Sequence, residues 1–350
     1  MQRKNAAAMR TVVILCAAVV VVTTAGGSAA PARAVVGAAR NGSIVFQRFD
    51  SRAGMTRLYV VQPSGRGLRA LASAQAPDSE PSWSPDGRRI AFRRLVDPGS
   101  AGERAQVYVV GADGRGLRNL TAASCKASCV ANEEPAWSPD GKRIAFVRSI
   151  GAPAPARPRA VGIFVMDANG SHVRQLTQRT GVFRTEDRAP SWSPNGKQIA
   201  FMSANTTYQP AGAATIYVIN ADGTHPRAVR SLAHGWPGAG APSWSPDGKK
   251  LLYSTYCWFG NCGQPPVGAQ LYTVGLDGKS PRQLTRLSGN SLAPRWSPDG
   301  KKIVFVRNAR VGPGGDLYVV GADGKGLQRV TRAPDLGARG PDWGSAPPVR

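Results

Sequence analysis

The chain has 350 residues, with 41 Gly and 28 Pro, and its 45 Lys and Arg against 21 Asp and Glu give a formal charge of +24. It is long enough to bury a sizeable core, and its Gly and Pro content is high for a helical protein and suits a chain that turns often. A charge this basic suits either acidic partners, envelope polymers or nucleic acid among them, or a plain solvated surface, and the basic residues are spread through the turns of the chain without forming one run.

Residues 1–34 read as a secretory signal. Arg3, Lys4 and Arg10 precede an apolar run from Thr11 to Val22, and Ala32-Arg33-Ala34 fits a cleavage site. The run is short for a membrane span, and retention as an uncleaved anchor is the alternative. Cys16 follows Leu15, where a lipidation site would have a small residue. Removing this segment leaves the rest near +20. Export to the periplasm, the cell envelope or the medium argues against nucleic acid as a partner and leaves no stable membrane span after cleavage.

From residue 35 onward the chain repeats itself. The first unit runs from Ser43-Ile44-Val45-Phe46 through Leu58-Tyr59-Val60-Val61 to Leu71. Then Pro81-Ser82-Trp83-Ser84-Pro85-Asp86-Gly87 opens a motif that returns at Pro135, Pro190 (with Asn195 for Asp), Pro242 and Pro294, and ends truncated at Pro341-Asp342-Trp343. The Trp positions are 83, 137, 192, 244, 296 and 343, spaced by 54, 55, 52, 52 and 47.

Each motif leads through a Pro-Asp-Gly turn into an apolar run such as Arg89-Ile90-Ala91-Phe92. A β-branched and aromatic run follows, such as Val107-Tyr108-Val109-Val110, then an Asp-Gly turn and a short strand such as Arg118-Asn119-Leu120-Thr121. Four strands per period of about 50 residues predict an all-β fold, a six-bladed β-propeller with four-stranded blades. The first unit lacks a Trp strand and the last is only a Trp strand. The two are therefore expected to share a blade and close the ring, making residues 35–350 one domain.

Four cysteines remain beyond the signal: Cys125, Cys129, Cys257 and Cys262. An even count in an exported chain suggests two local disulfides, Cys125–Cys129 and Cys257–Cys262. A zinc site would need its four ligands in one place, and the two pairs fall in different repeats. No metal site or cofactor is expected.

The Trp-Ser-Pro-Asp-Gly-Lys-x-Ile-Ala-Phe run, followed by Ile-Tyr-Val-x-x-x-Asp-Gly and Arg-Gln-Leu-Thr, resembles the TolB-type propeller repeat over about residues 41–343. The resemblance implies an exported propeller used for binding partner proteins at the cell envelope. The same repeat occurs in propeller domains of prolyl-oligopeptidase-like peptidases. TolB itself carries an α/β domain before its propeller, whereas only about seven residues separate the expected cleavage site from the first strand here.

Catalytic signatures are not evident. The sequence has no Gly-x-Ser-x-Gly elbow, no His-Glu-x-x-His pair and no phosphate-cradling loop. His172 and His225 follow repeat turns, and His234 alone lies in a long loop. One charge pattern suggests a site. Asp78 and Glu80, Glu133 and Glu134, and Glu186 and Asp187 precede the Trp in three successive repeats, and the later repeats offer Arg295 and Arg339 instead. With the Trp strand innermost, these residues are expected at the channel mouth, as a polarised pocket for a cationic or zwitterionic group. The longer connections, expected on one face, hold both cysteine pairs and aromatics such as Trp236, Trp258 and Phe259. The expected partner is an envelope protein or peptide bound by a monomer without catalysis. An envelope glycan or small ligand, and a lyase or hydrolase using the channel, are the alternatives.

Overall fold

The computed structural model describes residues 40–71, 76–100, 103–124, 129–151, 160–177, 185–205, 214–232, 240–255, 268–308, 315–332 and 337–347. The expected signal segment, Cys16, Cys125, Cys257, Cys262, His234, Trp236, Trp258 and Phe259 lie outside them.

The described residues form strands and turns, with no helix among them. The first strands are β1 (Asn41–Asp50), β2 (Met55–Val61) and β3 (Arg69–Ala70). Next come β4 (Asp78–Trp83), β5 (Arg89–Val96), β6 (Arg104–Gly111) and β7 (Arg118–Asn119), then β8 (Cys129–Trp137), β9 (Arg143–Ile150), β10 (Ala160–Asp167) and β11 (Arg174–Gln175). They are followed by β12 (Thr185–Trp192), β13 (Gln198–Asn205), β14 (Ala214–Asn220) and β15 (Arg227–Leu232), and by β16 (Ser243–Trp244), β17 (Lys250–Thr255), β18 (Gln270–Gly275) and β19 (Arg282–Gln283). The chain ends with β20 (Asn290–Trp296), β21 (Lys302–Asn308), β22 (Asp316–Gly321), β23 (Gln328–Arg329) and β24 (Arg339–Ser345).

Pairing within each group of four is antiparallel and sequential. The groups β4–β7, β8–β11 and β12–β15 join into one sheet through single parallel bridges, Ala105 to Ala131 and Val161 to Glu186. The last strand pairs with the first, in the order β24-β1-β2-β3, with Trp343 opposite Ile44.

The motif explains the first turn of each group. In β4–β5 the Asp86 carboxylate accepts from Ser84 Oγ at 2.5 Å and from the Arg88 N–H at 3.1 Å. Gly87 sits at φ 65°, where a side chain would be strained. The second and third strands of each group carry an aromatic pair in register, such as Phe201 and Tyr217 at 5.7 Å or Phe305 and Tyr318 at 6.1 Å.

The core is divided among the faces between neighbouring groups. Leu58, Val60 and Leu71 pack with Trp83, Ile90 and Phe92 of the next group. Val107 and Leu120 pack with Trp137 and Phe146, and one group further on Ile163 and Val165 pack with Trp192 and Phe201 in the same way. At the end of the chain Val304, Leu317 and Val330 pack with Trp343, Ile44 and Phe46. Each of these Trp side chains thus fills the space between two groups, which accounts for strands that are apolar on both faces.

Candidate functional site

The Trp strands β4, β8, β12, β16, β20 and β24 all line one cavity of about 400 Å³, within the range of small-ligand pockets. Two repeated positions supply much of its wall. One is the residue just before each Trp: Ser82, Ala136, Ser191, Ser243, Arg295 and Asp342. Small side chains in the first four leave the space open, and the last two place opposite charges on consecutive Trp strands.

The second position precedes the motif Pro. Here Glu80, Glu134, Ala189 and Gly340 of the wall, and Ala293 at the same position of β20 outside it, take φ values of 50° to 54°. For a non-glycine residue this conformation costs roughly 1–2 kcal/mol. A register shift follows in each of these strands, because proline cannot donate to the ladder. The N–H groups of three of the left-handed residues are taken up by side chains of the preceding group. Gln47 Oε1 accepts from the Glu80 N–H at 2.7 Å, Glu80 Oε2 from the Glu134 N–H at 2.8 Å, and Glu134 Oε2 from the Ala189 N–H. Alanine at 189 and 293 offers no acceptor, so this polar collar covers only part of the ring.

Burial decides the protonation of these groups. Glu80 is pushed up to about 8, first by desolvation and then by Glu133 and Glu134, so near neutrality it is a neutral acid able to donate from the wall. Glu134 is also raised by burial, against the pull of Arg188. Asp342 is raised by burial, although Arg295 and the Trp83 N–H, which donates to it, favour its charged form. Burial lowers Arg295, which Asp342 and Glu134 oppose. Arg295 hydrogen-bonds its neighbour's carbonyl, Pro294 O, at 3.0 Å, and it makes no ion pair among the described residues.

Of the eight charged residues singled out in the sequence, Glu80, Glu134 and Arg295 line the cavity and the other five do not. Asp78 lies opposite Arg94 in the β4–β5 register and binds it twice, at 2.7 and 2.8 Å, both side chains being buried. Glu133 is held by Arg93 at 3.0 Å and by Arg188 at 3.3 Å, and Glu186 by Arg188 at 3.0 Å. Burial raises Asp187, against hydrogen bonds from Ser203 and Thr177. Arg339 is exposed at the start of β24. The residue before the Pro and the one before the Trp face the cavity, while Asp78, Glu133 and Glu186 are held by arginines along or between the strands. Arg93, Arg188 and Asp342 went unnoticed in the sequence.

Cys129, at the start of β8, is disulfide-bonded, and Asn132 Nδ2 lies 3.3 Å from its Sγ. Among the described residues no group of His, Cys, Asp and Glu could hold a metal ion.

Residues 126–257 match the family described as TolB beta propeller domain. The fold resembles TolB from Acinetobacter baumannii, with a TM-score of 0.61 and 21% identity over 86% of this chain and 66% of that one. It also resembles a putative TolB from Agrobacterium tumefaciens, at 0.56 and 19% over 83% and 88%. The fold is thus of the TolB propeller type, with the family match confined to residues 126–257. The chain is further similar to an uncharacterized peptidase, YuxL, of Bacillus subtilis, at 26% identity over 218 residues. That match takes in 54% of this chain but only 31% of the Bacillus protein, so the chain spans about a third of the length of this relative.

Proposed function

We propose that the chain is an exported, six-bladed, closed propeller that binds an envelope protein or peptide without catalysis and takes a charged end of that partner into its central cavity. The observation that carries this reading is Arg295. A guanidinium held in a cavity wall without a carboxylate partner is costly, and a ligand carboxylate would satisfy it in a bidentate fashion. Asp342, in the wall beside it, offers a carboxylate to a cationic group of the same ligand, which suits a zwitterion. Pairing of β24 with β1, and packing of Val330 with Phe46, support the closed ring. Residues 1–34 support export.

The test is a thermal-shift titration with short peptides carrying free or amidated C-termini. Free carboxylates are expected to stabilise the chain, amides to do so weakly, and Arg295→Met to abolish the difference. Equal shifts for both peptide classes would contradict the reading.

The name of the Bacillus relative favours a second reading, in which the propeller serves peptide hydrolysis. Turnover of a fluorogenic peptide library by the full chain would support it.

A further inference from the structure

The excess of positive charge looks scattered along the chain, yet the fold gathers it. In an antiparallel group of four, the turn after the first strand and the turn after the third emerge at the same end. Hydrogen bonds hold the two together: the N–H groups of Ala112, Ala168, Ala221 and Ala322 donate to the carbonyls of Arg88, Lys142, Lys197 and Lys301. Neighbouring groups meet at this end as well. Gly141 lies against Pro85, Gly196 against Pro139, Gly248 against Pro194 and Gly300 against Pro246. Arg69, Arg174, Arg227 and Arg282 each reach a turn carbonyl of the next group, on Ala112, Ala221, Leu276 and Asp323. All these turns therefore share one face.

That face is basic by construction. Exposed Arg88, Lys142, Lys197, Lys249 and Lys301 each follow the Gly of the first turn, and Arg66, Arg115, Lys279 and Lys325 occupy the second. The turn aspartates keep their charge while accepting from their own loops, as with Asp113 from the Arg115 N–H and Asp323 from the Lys325 N–H. Arg69, Arg174, Arg227 and Arg282, which reach these turns, add to the turn Arg and Lys and leave the face net basic.

The large hydrophobic residues exposed among the described residues are Leu68, Leu117 and Leu327, at 46%, 37% and 39%. A single exposed leucine means little. These three occupy one equivalent position, in Arg66-Gly67-Leu68, Arg115-Gly116-Leu117 and Lys325-Gly326-Leu327. Gly67, Gly116 and Gly326 take φ values of 65° to 68°, and a side chain at 116 or 326 would meet nothing within 4 Å, so glycine serves the bend that presents the leucine. The three groups concerned are consecutive, since the group of Leu327 packs on that of Leu68, and that on the group of Leu117.

We infer that this short-turn face docks on an anionic lipid surface, with Leu68, Leu117 and Leu327 entering the interface and the surrounding Arg and Lys side chains pairing with headgroup phosphates. Basic residues near such a surface and apolar side chains within it act together in this way. A soluble polyanion would satisfy the charges and offer nothing to the leucines. Docking by this face leaves the opposite mouth of the cavity, marked by Glu80 and Glu134, directed away from the lipid.

Hydrogen exchange of the full chain tests this independently of how residues 1–39 interact with lipid, because protection is read at the turns themselves. Vesicles of phosphatidylcholine with phosphatidylglycerol, vesicles of phosphatidylcholine alone, and polyphosphate are compared. The expected result is slowed exchange at 64–68, 113–117 and 323–327 with the anionic vesicles only. Each Leu→Ser replacement should weaken that partitioning roughly tenfold, with the melting temperature unchanged because the sites are exposed. Turns that exchange at their free rate on anionic vesicles would overturn the proposal. So would protection that survives replacement of all three leucines, or that polyphosphate reproduces, since either would assign the face to a polyanion.

Discussion

The backbone N–H of Trp83 donates to Oδ2 of Asp342 at 2.6 Å, although the two residues stand 259 positions apart. The same aspartate lies in the cavity wall one Trp strand away from Arg295. It therefore joins the last strand to the second group while setting the charge of the site. Asp342→Ala should destabilise the chain by about 1–3 kcal/mol, the cost of leaving a buried donor unpaired. Asp342→Asn, which keeps an acceptor, should cost clearly less. Denaturant unfolding of the two variants checks this ordering.

Stability should fall as pH rises across the neutral range. Glu80 titrates at about 8 in the folded chain against an ordinary 4.5, so between these values the native state holds a proton that the unfolded state has lost. Its contribution is complete below the ordinary value and gone above the folded one. Glu134 and Asp342 are raised by the same burial and act in the same direction. Glu80→Gln should flatten the decline seen in melting curves between pH 5 and 8. An unchanged slope would show that Glu80 is ionised throughout.

Asp78 and Arg295 should separate folding from binding. Asp78→Ala removes both carboxylate hydrogen bonds of the buried Arg94 guanidinium, which also lies near the rings of Phe92 and Tyr108, and should cost about 3–5 kcal/mol. Arg295→Met, which removes an unpaired charge, should leave the melting temperature equal or higher. Calorimetry of both variants decides this.

Expression in a secreting host, followed by N-terminal sequencing, should give a mature chain that begins at Val35. Retention of Met1 or its neighbours would favour the anchored form.

Much of the architecture was legible because the Trp-Ser-Pro-Asp-Gly motif is a local device. Its Asp and Gly form the same turn wherever they occur, and its Trp fills the same gap between groups. The site was legible only in part. Glu80, Glu134 and Arg295 could be named from their place before the Trp, but which neighbours turn inward depends on the bulge imposed by the motif Pro. Asp342 escaped notice because it stands where the other repeats carry Ser, Ala or Arg. Arg188 could not be matched to Glu133 from sequence, since the two lie on different groups. The basic residues appeared dispersed for a similar reason: turns far apart in the chain share one face.

The central claim is that the cavity around Arg295 holds the partner. Its most direct test is capture from a cell-envelope extract by the full chain, side by side with Arg295→Met and Asp78→Asn. The account predicts one defined protein or peptide retained by the wild type and by whatever fraction of Asp78→Asn is folded, and lost with Arg295→Met. Equal retention by the wild type and a folded Arg295→Met would contradict it and move the binding site away from the cavity.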